Sequence, residues 1–401
     1  MIDAWEEFCR ASDGRAVAGY FERGDAPGAP GRWAASFVDP ADRFRLQRSD
    51  TVEELDARTR RALRGTRGRA LVGYVGFDAV SLWEPLLRRV PAGSPFPLGE
   101  FALVDRLRWH RTRTRPGRAP SKATESRPVV PPREETLPSR RYQDSVRRLH
   151  DAIGNGDAFQ IVLASRRRFH RPNDLLVRAG RLRARERFAY FYYLRFDDRE
   201  IVGASPESVV ELDPPRATIH PIAGTLPRDP WPGRPPLSRD PKELAEHRML
   251  VDLARNDLGR IARPGSVRVV WRERPYRFAR LQHLISRVDG RVPRGTGPWT
   301  TLSATFPAGT VSGAPKVRAT QLLRREERTW RGPYAGAVGL LTDDGSATWA
   351  LAIRTAFAHR SDLYTAAGAG IVWDSVPRRE YDEVRVKLGM VEATLIGPGD
   401  R

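Results

Sequence analysis

An α+β fold, with antiparallel sheets and helices packed outside them, is what this sequence predicts. Three observations lead there. Runs rich in Val, Ile, Phe and Tyr, which suit a pleated and half-buried surface, recur along the chain. Short turn signals such as DPPR, DDG and HRSD join several of these runs directly, and such tight connections make neighbouring strands antiparallel. Helical stretches of amphipathic period stand among them and can cover the sheets as outer layers. No repeat of fixed period is present.

Residues 1–110 carry short helix and strand signals and are expected to form an N-terminal subdomain. They include RALVGYVGFDAVSLWE, read as an apolar strand broken at Gly73 and Gly76. From Arg111 to Arg141 apolar periodicity is lost and Pro, Ser and Arg dominate, the composition of a surface linker. Ser139 is placed to N-cap a helix through RRYQDSVRRLHDAIGNGD. Tyr142, Val146, Leu149 and Ile153 share one face of it, and Gly154 and Gly156 follow its end. Residues 142–397 then form the main domain. Its first strands are AFQIVLASRRRF, FAYFYYLRF, EIVGASPESVVEL and ATIHPIAGT. A helix runs from Pro241 through KELAEHRMLVDLARNDLGRIA, strands return in SVRVVWRE and LQHLISRVDGRV, and APKVRATQLLRREE reads as another helix. The meander YAGAVGLLTDDGSATWALAIRTAFAHRSDLYTAAGAGIVWD ends the sheets, and the helix RREYDEVRVKLGMVEATL closes the chain.

A length of 401 residues accommodates one large or two ordinary domains with an ample core. The formal net charge of +20 raises the question of nucleic acid, and its distribution argues against it. Of the 69 basic residues only four are lysines (Lys122, Lys242, Lys316, Lys387), and the arginines spread over the whole chain without a basic tail. Three of those lysines fall inside motif segments, where a compact ammonium does what a planar guanidinium does not. The longest apolar runs stop short of the roughly 18 residues of a membrane span, and the start MIDAWEEFCR is acidic rather than signal-like. A soluble, cytoplasmic protein without membrane or nucleic-acid partners is expected. The single cysteine, Cys9, excludes an internal disulfide framework and a cysteine-based metal site, and a half-buried helix position accounts for it.

Several constellations could carry chemistry. Glu243 with Glu246, and Glu380 with Glu383, each form a Glu-x-x-Glu pair on one face of a helix. Four carboxylates converging from two helices would make a hard oxygen site suited to Mg²⁺; a solvated face is the other reading of the same spacing. GTVSGAPKVRA, Gly309 to Ala319, sets small residues before a helix start that contains Lys316, but the lysine follows Ala-Pro and precedes Val, so the nucleotide-loop pattern is not met. Gly368 and Gly370 either let backbone N–H groups approach an anion or mark a bulge. Glu207 follows a proline at a turn that can aim an acid, or is a solvated loop residue. His283 lies among apolar residues, as a core histidine would. Finally, ATIHPIAGTLPRD, Ala217 to Asp229, delivers a strand and tight turn as to a site rim, yet its centre is the inert Ala223.

In order, the segments DAFQIVLA, GASPE, HPIAGTLPRD, ELAEHRMLVDLARNDLGR, QHLIS, FPAGTVSGAPKVRA, YAGAVG, AIRT, GAGIVWDS and EYDEVRVKL resemble the chorismate-utilising enzymes, in particular the large subunit of anthranilate synthase. The resemblance covers residues 139–395 and is loose in the N-terminal third, where GYVGFDA carries it. It implies two stacked antiparallel sheets with chorismate and Mg²⁺ bound between them, and a chorismate-binding catalytic domain at 142–397. By motif, Glu246 and Glu383 look like the direct Mg²⁺ ligands, with Glu243 and Glu380 as outer partners. Tyr334, Arg354, Lys387 and the backbone of Gly368, Ala369 and Gly370 resemble the holders of the substrate carboxylates, with Thr225 and Thr310 as further lining groups. Glu207 matches the general acid for the departing 4-hydroxyl, and His283 the histidine implicated in pyruvate elimination.

Two positions sort the family by nucleophile. Water-adding members carry a lysine base where this chain has Gln160, and ammonia needs no such base. Typical aminodeoxychorismate synthases carry a nucleophilic lysine where this chain has Ala223, so the methyl leaves ring carbon C2 open to ammonia. The resemblance therefore implies amination at C2 and pyruvate loss to give anthranilate. Ammonia would come free or from a separate glutamine amidotransferase subunit, anthranilate synthase component II. Aminodeoxychorismate synthase, 2-amino-2-deoxyisochorismate synthase and a catalytically silent binding paralogue are the alternatives. Tryptophan-inhibited members have Leu-Leu-Glu-Ser and Asn-Pro-x-Pro-Tyr elements. Here YFER (Tyr20 to Arg23) and ERFAY (Glu186 to Tyr190) stand in their places, so weak or absent tryptophan feedback is expected.

Overall fold

The computed structural model describes residues 3–24, 32–110, 130–227, 237–278 and 281–397. Among them are two antiparallel sheets of ten strands each. The first sheet runs in the order Gly313–Ala314, Gln160–His170, Asp362–Ile371, Thr355–His359, Arg199–Ser205, Tyr190–Phe196, Val17–Arg23, Trp33–Val38 and Arg108–His110, with Glu134–Glu135 added beside Gln160–His170. The second runs Ile222–Pro227, Leu281–Arg291, Arg216–Ile219, Ser208–Asp213, Ala347–Leu351, Ala337–Thr342, Ala70–Val75, Gly99–Val104 and Asp42–Arg45, with Arg268–Phe278 on Leu281–Arg291.

Strand periodicity explains the layers. Within Tyr190–Phe196, the side chains of Tyr190, Tyr192 and Leu194 join Phe21, Val210, Leu71, Val338 and Leu340 in the core shared by the two sheets. The alternate residues Phe191 and Tyr193 pack with Trp5, Phe8, Leu182 and Leu395, which come from the helices Ala4–Ser12, Leu175–Arg185 and Pro377–Leu395. A strand apolar on both faces is what a sheet sandwiched between another sheet and a helical layer requires. The second sheet is covered in the same way, Trp349 and Phe101 meeting Trp299 of the helix Pro298–Thr305 at ring separations of 5.4 and 5.1 Å.

Several expectations change on contact with the fold. EIVGASPESVVEL is two strands: Arg199–Ser205 lies in the first sheet and Ser208–Asp213 in the second, with Pro206 and Glu207 at the crossing. Proline cannot donate to a ladder, so the chain leaves one sheet there. The meander likewise changes sheets between Ala347–Leu351 and Thr355–His359. Gly73 breaks nothing, since Ala70–Val75 is continuous; a Cβ there would stand 2.1 Å from the carbonyl oxygen of Glu100, so the glycine permits a close approach. The helix Ser139–Gly154 has Pro138 at its N-cap, and the Ser139 hydroxyl accepts instead from the Gln143 amide at 3.0 Å. Of the expected linker, residues 111–129 lie outside the described residues, and regular structure resumes before Arg141. Residues 17–110 supply strands to both sheets. Among the described residues no helix is long and apolar enough to cross a membrane.

Candidate active site

Glu207 and Arg354, from the two crossings, meet at one cavity of about 550 Å³. From the first sheet come Gln160 and Val162 on one strand and Ala366, Ala367, Gly368 and Gly370 on its neighbour; the register sets Gly370 opposite Val162. The second sheet contributes Ile222, Ala223 and His283. Helix Pro241–Gly259 presents Glu243 and Glu246, helix Pro377–Leu395 presents Glu380, Glu383 and Lys387, and the short helix Gly309–Ser312 presents Thr310.

Glu207 is 8% exposed, and burial pushes its carboxyl up to about 8. The Thr310 hydroxyl donates to its Oε1 at 2.9 Å and opposes that shift without cancelling it. Ser205 Oγ donates to the Glu207 carbonyl at 3.0 Å and accepts from its backbone N–H at 3.3 Å, which fixes the turn. At neutral pH the site therefore holds a carboxylic acid ready to give up a proton.

The cationic and hydroxyl groups at the cavity come from three directions. The Lys387 ammonium lies 2.7 Å from Glu383 Oε1 and donates to the Gly368 carbonyl at 2.9 Å. Arg354 takes a left-handed conformation, φ 52°, at its crossing. Its guanidinium touches the Met390 sulfur, and burial lowers its pKa. Burial raises the Tyr334 hydroxyl to about 12, so it is a neutral donor. A Cβ on Gly368 would come within 2.9 Å of the Leu163 carbonyl oxygen and 3.2 Å of the Tyr334 hydroxyl, and one on Gly370 within 2.5 Å of Gln160 Nε2. Gln160 Oε1 is buried with no hydrogen-bond partner among the described residues, an acceptor left over at the cavity wall.

The cavity thus collects Gln160, Glu207, Glu243, Glu246, His283, Thr310, Tyr334, Arg354, Gly368, Gly370, Glu380, Glu383 and Lys387. Ala369 is not among them: strand alternation turns it into the core, fully buried. The Thr225 side chain lies outside those described. The four glutamates line the cavity, and carboxylates are the donor type that Mg²⁺ takes. Among the described residues no three metal-binding side chains stand close enough to share one ion, and Glu383 is turned to Lys387. Lys316 lies elsewhere; its ammonium binds Asp257 Oδ2 and the Thr305 carbonyl, each at 2.8 Å, tying helix Lys316–Glu327 to Pro241–Gly259.

Sequence reasoning missed two groups. Arg379 lines the cavity beside Glu380. Arg331, 4% exposed, donates to the carbonyls of Val311 at 2.6 Å and Val162 at 2.7 Å, both lining residues, and pairs with Glu327 at 2.5 Å. Glu327 also accepts from Ala164 N–H at 2.9 Å, while Asp78 accepts from the N–H groups of Arg331 and Gly332 at 3.1 and 2.9 Å. The one available signal was an arginine inside the otherwise apolar TWRGPYAGAVG.

The family model for chorismate binding enzyme matches residues 20–392. Anthranilate synthase component 1 of Saccharolobus solfataricus is 37% identical over 339 residues, which is 81% of this chain and 80% of that protein. A Streptomyces globisporus protein named 2-amino-4-deoxychorismate synthase is 40% identical over 260 residues, 64% of this chain and 53% of its own length. The crystal structure of anthranilate synthase component I from Streptococcus pneumoniae TIGR4 superposes with a TM-score of 0.77 at 29% identity, covering 91% of this chain and 93% of that one.

Proposed function

The chain belongs to the chorismate binding enzyme family and is a chorismate-utilising enzyme, and we propose that it works as an anthranilate synthase large subunit, aminating chorismate at C2 with ammonia and then eliminating pyruvate. The observation that carries the choice of nucleophile is Gln160. Its side chain cannot deprotonate water, and its spare buried Oε1 can accept a hydrogen bond from ammonia. Ala223 offers no nucleophile of its own at the cavity wall.

Glu207, neutral at working pH, protonates the 4-hydroxyl as it departs, so that water leaves while ammonia bonds to C2. In the second step the C2 proton is lost, the enolpyruvyl C–O bond breaks and the side chain, once protonated, leaves as pyruvate. His283, 6% exposed at the wall, is the group offered for that proton movement. Arg354, Lys387, Tyr334 and the backbone at Gly368 and Gly370 hold the substrate carboxylates, and donors fixed in this way act with little reorganisation. Glu246 and Glu383 would hold Mg²⁺, with Glu243 and Glu380 behind them, and the metal when bound neutralises the ring carboxylate. The only cysteine of this sequence, Cys9, is half-buried with its thiol raised to about 11, so it is no glutaminase nucleophile. Glutamine-derived ammonia would come from a separate amidotransferase subunit, in the cytoplasm.

The test is incubation with chorismate, Mg²⁺ and ammonium, following anthranilate fluorescence and product mass. Anthranilate plus pyruvate is the expected result, abolished by Glu383→Gln and absent with glutamine alone. Accumulation of the aminated intermediate would match the Streptomyces globisporus relative's name more closely and would overturn the elimination step. Untouched chorismate, even with an amidotransferase subunit, would leave a silent binding paralogue.

A further inference from the structure

At the opposite end of the strand pair that lines the active site lies a second concavity, of about 640 Å³. There Tyr364 pairs with Arg168, six residues along from the Gly370 and Val162 pair. Arg89, Arg166, Arg168, Arg324, Arg325 and Arg328 line it, and Glu134 is the one acid among its described lining residues. Arg168 meets Glu134 at 3.1 Å and, more distantly, Asp362 at 3.9 Å. Among the described residues the other five make no ion pair. Buried arginines elsewhere do: Arg183 lies 2.5 Å from Glu22, Arg331 2.5 Å from Glu327 and Arg199 3.1 Å from Glu100. Six arginines against one glutamate leave this recess with a local excess of positive charge.

The recess is also built. Arg324 Nη1 donates to the carbonyls of Leu87 and Arg89 at 2.8 and 3.1 Å, which stops its guanidinium from swinging out to solvent. Its Nε and Nη2, and Nε of Arg168, are buried with no acceptor among the described residues. Arg166 lies 3.6 Å above the Trp330 ring and donates to Thr329 Oγ1 at 3.2 Å. Burial lowers Arg166 to about 10 and lowers Arg324 as well, against the opposing pull of Glu134 on Arg166 and of Asp78 on Arg324. Buried donors of this kind cost stability unless an acceptor reaches them, and a guanidinium fork matches phosphate oxygens in pairs.

We propose that this concavity is a binding site for a small, multiply charged phosphorylated anion. A nucleic-acid duplex is disfavoured because the unpaired donors are recessed, out of reach of a convex phosphate backbone. The test is calorimetry with inorganic pyrophosphate, without chorismate and without Mg²⁺, at about 0.15 M salt, where loose surface attraction is screened. Saturable binding at one site per chain is expected. Arg324→Gln, and separately the exposed pair Arg325→Gln with Arg328→Gln, should each weaken it by about tenfold or more, while Arg255→Gln on a distant exposed helix face should not. The exposed pair keeps the test sound if Arg324→Gln fails to fold. Inorganic phosphate and citrate, titrated alongside, separate phosphate recognition from general carboxylate capture, and citrate binding as tightly as pyrophosphate would overturn the phosphate assignment. No saturable heat, unchanged affinity in the exposed double variant, or equal competition by duplex DNA would overturn the site.

Discussion

Glu207 shows how much one residue's environment contributes. In water a glutamate is ionised at neutral pH; here burial at the sheet crossing raises it to about 8, so the protonated form persists through neutrality and is lost as pH rises through that value. The predicted profile of kcat/KM is a limb falling above about pH 8. Thr310→Val removes a donor that favours the ionised form, so the limb should move to higher pH. Glu207→Gln should cost roughly 10²- to 10⁴-fold in kcat, the usual worth of a positioned general acid, with the fold intact by circular dichroism. A variant retaining full activity would remove Glu207 from the mechanism. The acid and its turn could be picked out in GASPE, but not that the turn carries the chain from one sheet to the other and buries the carboxyl there.

At the scale of elements, two glycines make opposite demands. Gly73 lets two strands of the second sheet close up, and a Cβ there would strike backbone, 2.1 Å from the Glu100 carbonyl oxygen. Gly73→Ala should destabilise the protein by about 1–3 kcal/mol, as overpacking does, seen as a lower midpoint in chemical denaturation. At Gly370 the Cβ would meet the movable end of Gln160 instead, at 2.5 Å. Gly370→Ala should leave stability nearly unchanged and depress ammonia-dependent turnover by displacing that amide. Equal stability losses at the two positions would contradict this division. The helix pairs Glu243 with Glu246 and Glu380 with Glu383 were legible as faces, since three-residue spacing fixes a face. That the two faces line one cavity depends on the sheets between them.

For the whole molecule, the region around Arg23 bears on regulation. Arg23 donates to Glu211 at 2.7 and 3.0 Å, and Tyr190 also bonds to Glu211, so a strand of each sheet is tied across the interior by charge. A guanidinium locked in this way stands where the resemblance expects a small hydroxyl, and micromolar tryptophan should leave the rate unchanged; inhibition in that range would refute the expectation. By itself the sequence determined the α+β class and the strand and helix faces, because periodicity and turn chemistry are local properties, and its resemblance to a family pointed to acids, glycines and a lysine that line the cavity. Only the tertiary structure decided where the chain changes sheets, that Arg331, Glu327 and Asp78 underpin the cavity, that Lys316 is a structural cation and that Ala369 faces the core. Those outcomes depend on which distant groups meet and how deeply they are buried, and burial sets both the protonation of Glu207 and the need for Arg331 to find its carbonyl partners.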